Sequence, residues 1–260
     1  MKNLFIIIPA RLNSSRLPNK VLKKINKKTL IQHVWEELNK FPNVYIATDS
    51  KKIREEVKKF NASVITTKKT HINGSERCAE AVKNLNLNQN DIVINIQCDE
   101  LKIKHSWIKK IYQELSKAKS DVIVTLSSNL GHQNSQFWEK YNNDQSNVRV
   151  IINKNNIATE FMRANNKFFK NFKKNKDVNI DHHLGVYGYS VKTLNKISKL
   201  KVSLREKKEK LEQLRWIENK FQIKCVRTEK PHFGFSINTK EDLERLKKKK
   251  YFVDLNNHFF

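Results

Sequence analysis

The stretch LFIIIPARLNSSRLPNK, Leu4 to Lys20, decides the fold. Its first five residues, Leu4 to Ile8, are apolar without a break, the pattern of a strand buried on both faces of a parallel sheet. The run breaks at Pro9 and gives way to a basic, hydroxyl-rich loop carrying Arg11, Ser14, Ser15, Arg16 and Lys20. In an open α/β sheet the carboxyl end of such a strand faces the crevice where ligands bind. Cations and hydroxyls crowded there suit a polyanion such as a triphosphate, because charge-assisted hydrogen bonds to phosphate are about twice as strong as neutral ones. A solvated basic loop would share the same spacing.

Working outward, strand and helix alternate. Leu30 to Leu38 places Leu30, Ile31, Val34, Trp35 and Leu38 on one helical face. Val44 to Thr48 predicts a strand, and Ser50 is placed to cap a helix over Lys51 to Phe60. A strand at Ser63 to Thr66 leads through HINGSER (71–77) into a helix from about Ser75 to Leu85. A fourth strand, Asp91 to Ile96, delivers Gln97, Cys98, Asp99 and Glu100 to its carboxyl end, beside the first loop if the sheet is doubly wound. A helix over Ser106 to Lys117 and a strand over Asp121 to Leu126 complete a Rossmann-like half. Beyond it, Gly131 to Asn143 suggests an irregular connection, and Asn147 to Ile152 a strand. Asn165 to Asn179 has the charge of an exposed loop, His182 to Tyr189 the alternation of a strand, and Leu204 to Phe221 the spacing of one long helix. Lys224 to Thr228 predicts another strand, with Thr239 capping a final helix over Lys240 to Lys249.

Composition narrows the function. Lys and Arg total 52 against 26 Asp and Glu, a net charge of +26 over 260 residues, which suits an acidic partner. The lysines are spread along the whole chain among many asparagines, so a dedicated nucleic-acid function is not expected. Cys78, Cys98 and Cys225 are far apart and lack zinc spacing, the pattern of reduced thiols in a cytosol. No stretch approaches the apolar length of a membrane span, and a cytoplasmic protein is expected. With only five glycines and no GxGxxG, a dinucleotide fingerprint or a Walker A loop is excluded, so phosphates must be held by side chains. A triphosphate loop beside an Asp/Glu pair points to metal-assisted nucleotidyl transfer, with Asp99 the leading metal ligand. An exposed turn would also account for Asp99 and Glu100.

Taken in order, IIIPARLNSSRLPNK, IATDS, HINGSER, NIQCDE, SNVRVI, HHLGVYGYS, LEQLR and INTKEDLERL resemble the 3-deoxy-manno-octulosonate cytidylyltransferases, also called CMP-Kdo synthetases. The resemblance runs from about Ile6 to Leu246. It implies an α/β, Rossmann-like nucleotidyltransferase sheet with a smaller sugar-binding and dimerising lobe. The nucleotide-binding half would span about residues 1–130, the sugar-binding part about 131–235 and a C-terminal helix about 239–250. It implies transfer of CMP from CTP to the anomeric hydroxyl of Kdo, with release of pyrophosphate, for lipopolysaccharide or surface-polysaccharide synthesis. Mg²⁺, or Mn²⁺ in its place, and a cytoplasmic homodimer come with it.

Position by position, the resemblance implies that Pro9, Ala10, Arg11, Ser14, Lys20, Gly74, Ser75, Arg77 and Gln97 bind the nucleotide. Arg11, Lys20 and Asp99 would carry the chemistry, with metal held at Asp99 and Asn238. Arg163, His183, Tyr187, Glu212 and Gln213 would line the sugar site. On spacing alone, His183 and Tyr187 suit a half-buried pair on one strand face equally well.

Several positions depart from the family pattern. Asn19 stands where the family has glycine, and Asn tolerates a left-handed turn better than most residues. In the QGDEP motif, Cys98 replaces glycine and Leu101 replaces proline, and the position of Cys98 suggests sensitivity to oxidation or alkylation. The segment after Arg163 loses a proline turn. Asn238 replaces the second metal-binding aspartate and keeps only a neutral carbonyl oxygen. These departures leave open another nonulosonic or amino-Kdo acid as substrate, or a noncatalytic family member.

Overall fold

The computed structural model describes residues 1–12, 14, 17–118, 121–131, 134–163, 178–232, 237 and 242–244. The chain begins with β1 (Leu4–Ala10), a 3-10 turn (Lys20–Leu22), the hairpin β2 (Lys24–Ile25) and β3 (Lys28–Thr29), and α1 (Leu30–Leu38). Next come β4 (Val44–Thr48), α2 (Lys51–Lys58), β5 (Ser63–Thr66), α3 (Gly74–Asn84), β6 (Ile92–Ile96), α4 (His105–Ser116) and β7 (Val122–Ser128). Then follow α5 (Ser135–Asn143), β8 (Val148–Asn153), β9 (Ala158–Arg163) and β10 (Val178–Ser190). Beyond these lie α6 (Val191–Ile197), α7 (Leu204–Glu209), α8 (Gln213–Glu218) and β11 (Gln222–Arg227).

The central sheet has the order β11-β7-β10-β6-β1-β4-β5, and β8 and β9 extend from β10. β1 lies between β4 and β6, parallel to both. It continues past the expected break: Pro9 and Ala10 still pair with Ala47 and Thr48, at a height where the ladder to β6 has ended. A missing N–H is tolerated where no partner strand needs it.

The period-two alternation of β1 and β6 divides the core between the two faces. Ile6, Ile8, Ile92, Ile94 and Ile96 face α1, α2 and α4. Ile7 and Val93 face the layer of α3, α6 and α8. The helix caps follow ordinary chemistry: Ser50 accepts from the Ile53 amide at 3.3 Å and Asn73 from the Glu76 amide at 2.8 Å.

β10 inserts antiparallel between β6 and β7, so the two halves of the chain share one sheet. Three expectations are corrected. The polar connection over Gly131 to Asn143 contains α5, whose N-cap Asn134 accepts from the Phe137 amide. The single long helix over Leu204 to Phe221 is two short ones, broken where Lys210 takes φ 54°. The strand over His182 to Tyr189 begins earlier, at Val178, because its polar start pairs with β8. The expected Thr239 cap, nearly all of the Asn165 to Asn179 segment and all of the expected final helix except residues 242–244, which are helical, lie outside the described residues. No described helix is long and apolar enough to cross a membrane.

Candidate active site

A cleft of about 250 Å³ opens where the carboxyl ends of β1 and β6 meet the amino end of α3. Pro9, Ala10, Arg11, Ser14, Lys20, Gly74, Arg77, Gln97 and Asp99, expected from different parts of the chain, all line it. Direct pairing of β1 with β6 brings the first loop and the Asp99 turn together. Asn19, with φ 54°, supplies the left-handed turn that glycine would otherwise provide, and the 3-10 turn beginning at Lys20 follows it.

Lys20 is buried in the cleft wall, and its ammonium pairs with Asp99 Oδ2. Arg11 is exposed and touches the rim, with Nη1 donating to the Ile72 carbonyl at 3.5 Å. Gly74 has a steric reason: a Cβ there would lie 2.8 Å from Gln97 Nε2 and 3.3 Å from Pro9 Cγ. α3 can therefore bring its first amides to the floor of the cleft, where they favour an anion. Arg77 is held inside the wall: its Nη1 donates to Thr67 Oγ1 at 2.5 Å and to the Lys68 carbonyl at 3.3 Å, and its Nη2 pairs in charge with Asp49 Oδ1 at 2.8 Å. It thus ties α3 to the ends of β4 and β5.

His71, Asn73 and Cys98 also line the cleft and were not among the expected binding residues. His71 Nε2 lies 2.5 Å from Glu80 Oε2, and Asn73 is the α3 cap. The HINGSER stretch contains both, but nothing in its spacing separates a lining residue from a capping one. Burial pushes the Cys98 thiol up to about 12, with the Asp99 charge adding to the effect, so it stays protonated. That argues against the oxidation or alkylation sensitivity its position suggested. Burial likewise pushes the Glu100 carboxyl up to about 7, helped by neighbouring Asp99. Glu100 packs so close to β10 that a Cβ on Gly185 would meet its Oε1 at 2.9 Å.

The residues expected at the sugar lie on the β10 side of the sheet and along α8, outside the lining of the cleft. His183 is buried, with Nε2 3.1 Å from Thr125 Oγ1 and its ring edge-on to Phe161. Desolvation drives its imidazole down to about 3, and the neighbouring His182 and Arg163 push the same way. Tyr187 is tilted against His183 with centroids 5.3 Å apart and meets Trp216 edge-on at 5.0 Å. Burial raises the Glu212 carboxyl to about 8. Gln213 is buried as well.

Ser75 faces this second group: its Oγ donates to Glu212 Oε2 at 3.2 Å. Arg163 gives Nε, Nη1 and Nη2 to the carbonyls of Glu209, Gln145 and Lys210, at 3.0, 3.1 and 2.8 Å. It caps the end of α7 and supports the left-handed Lys210. Asn238 lies outside the described residues. Among the described residues no group of three or more His, Cys, Asp or Glu side chains could hold a metal ion.

A family model described as cytidylyltransferase matches residues 5–250. A 3-deoxy-manno-octulosonate cytidylyltransferase of Francisella tularensis subsp. tularensis is 38% identical over 253 residues, covering 95% of this chain and 98% of that protein. A protein of the same name from Thermodesulfovibrio yellowstonii is 38% identical over 251 residues, covering 92% of this chain and 94% of its own. Among solved structures, CMP:2-keto-3-deoxy-manno-octonic acid synthetase complexed with CTP superposes with a TM-score of 0.78 at 28% identity, covering 94% of this chain and 96% of that one.

Proposed function

This chain belongs to the cytidylyltransferase family, and from that premise we propose that it transfers CMP from CTP to the anomeric hydroxyl of Kdo, releasing pyrophosphate. The observation that carries the reading is the Lys20–Asp99 pair at the mouth of β1 and β6. A nucleotide triphosphate carrying its counter-cation presents both signs of charge. Lys20 can exchange Asp99 for phosphate, and Asp99 can exchange Lys20 for the cation.

The donor set fits that role. One carboxylate among the described lining residues is too few for an all-protein cage, but it suits Mg²⁺, which keeps several waters and takes the rest of its oxygens from substrate phosphates. Asp99 would hold the ion, with Asn238 able to add one neutral oxygen, and the ion would neutralise charge on the phosphates. Mn²⁺ fits the same ligands.

Arg11 and Lys20 would hold the triphosphate by charge-assisted hydrogen bonds. The first amides of α3, brought close by Gly74, add an uncharged anion contact. The sugar hydroxyl attacks the α-phosphorus as the bond to the β-phosphate oxygen breaks, so positioning and electrostatics carry the step and no protein nucleophile is needed. His183, Tyr187, Glu212 and Gln213 would orient the acidic sugar with largely neutral hydrogen-bonding groups. We further propose a homodimer working in the cytoplasm, and light scattering giving a monomer mass would remove the dimer.

The test is pyrophosphate release from purified protein with CTP, Mg²⁺ and a panel of acidic sugars. Release with Kdo, with CMP-Kdo as the product, is expected. Release only with another acid would keep the chemistry and reassign the substrate. Silence across the panel from folded protein would overturn the reading.

A further inference from the structure

Two neighbouring residues of α3, Ser75 and Glu76, each meet a residue of the α7–α8 region. Ser75 bonds Glu212, the residue immediately before α8, at 3.2 Å. Glu76 Oε1 lies 4.0 Å from Nη1 of Arg215, one turn further along α8. The Arg215 side chain is 1% exposed, so its charge must be matched from within. Nε and Nη2 form a two-point contact with Glu206 at 2.5 and 2.7 Å, and Nη1 donates to the Leu200 carbonyl at 2.9 Å.

Glu76 in turn governs the cleft. Its Oε2 accepts from the Ile72 amide at 3.1 Å and its Oε1 from Asn73 Nδ2 at 3.2 Å. Those bonds fix the 71–73 segment, of which His71 and Asn73 line the cleft. A connected series of contacts therefore runs from the cleft rim through Glu76 to Arg215, and from α8 back through Glu212 to Ser75.

We propose that Arg215 is a positioning residue that couples the CTP side of the site to the acidic-sugar side, by fixing α8 against the first turn of α3. The inference rests on the proposed cytidylyl transfer for the assignment of the two sides. Arg215 touches neither substrate in this account. It acts through Glu76 on the rim that meets CTP, and through the α7–α8 turn on Glu212.

A merely structural arginine would lower the thermal midpoint and leave both KM values unchanged in the folded protein, so the test is a double-mutant cycle read in KM. CTP and Kdo are titrated separately with wild type, Glu76→Gln, Arg215→Lys and the double variant, with thermal midpoints measured alongside. Each single variant is expected to raise both KM values by roughly three- to tenfold, and the double variant to lie close to the worse single one, as coupled contacts do. Effects that multiply in the double variant, or that fall on one substrate alone, would overturn the coupling. If Arg215→Lys does not fold, Glu76→Gln alone decides: an unchanged KM for Kdo, from a residue on the CTP side, would overturn it. The wild-type control separates the two claims, because wild-type turnover with additive variants removes only the coupling, whereas no wild-type turnover with any acid removes both.

Discussion

The cleft and the β10 interior treat charge in opposite ways. At the cleft, Lys20 and Asp99 are ionised partners, Arg11 stands exposed at the rim, and the amino end of α3 points at the floor. Behind it, burial pushes His183 down to about 3 and Glu212 up to about 8, and it raises Tyr187 well above its ordinary range. Those groups are neutral near pH 7. The contrast teaches how one enzyme can hold two anions side by side. On the proposed assignment of the two sides, a triphosphate would be met with net positive charge, and a sugar acid with fixed hydrogen bonds that need no second cluster of cations.

The largest effect should come from the ionised side. Asp99→Asn keeps the shape, removes the charge opposite Lys20, and should cut pyrophosphate release by about 10²–10³, the range seen when one electrostatic contact to a transition state is lost. The matching change on the neutral side, Glu212→Gln, should cost less than about tenfold at pH 7, since that carboxyl is already protonated there. Equal losses in steady-state assays would erase the contrast.

A middle-sized effect is expected at Gly74. The Cβ of Gly74→Ala would press on Gln97 Nε2 and Pro9 Cγ and push α3 away from the cleft floor. About tenfold in kcat/KM for CTP should be lost, within the range for small misplacements of reacting groups. An unchanged value would mean that the α3 amides do not meet the nucleotide.

The smallest effect is on stability against pH. Glu212 and Glu37 are held near 8 and 7 by burial, above the ordinary 4.5 of a free carboxyl. Their contribution is fully present below about pH 4.5 and is lost as pH rises through 7 to 8, because the unfolded chain gives up those protons first. His183 mirrors this: its depressed pKa removes stability as pH falls below about 6.5. Urea midpoints from pH 5 to 9 should therefore decline less for Glu212→Gln than for wild type, and parallel curves would refute the assignment.

Much of this was legible in the chain. β1, α1, β4, β5 and β6 follow from unbroken or periodic apolar runs, and the pairing of β1 with β6 gathers the cleft residues as a doubly wound sheet requires. The break at Lys210 was not legible, because neither Gly nor Pro marks it. Its left-handed backbone is supported from a distance by Arg163, whose guanidinium takes the carbonyls of Glu209 and Lys210. That contact also gives Arg163 a task which its match to the sugar site did not suggest. The insertion of β10 between β6 and β7 escaped for a related reason: strand order depends on packing across the whole sheet and leaves no local mark. α5 escaped because its polar composition hides its period, leaving only the Asn134 cap as a signal.

The most direct test of the division between the two sides is a crossed comparison of Arg11→Ala with His183→Asn, each titrated separately with CTP and with Kdo. The account predicts that Arg11→Ala raises the KM for CTP with little change for Kdo, and that His183→Asn does the reverse. Equal losses toward both substrates from each variant, in protein with wild-type thermal midpoints, would contradict it.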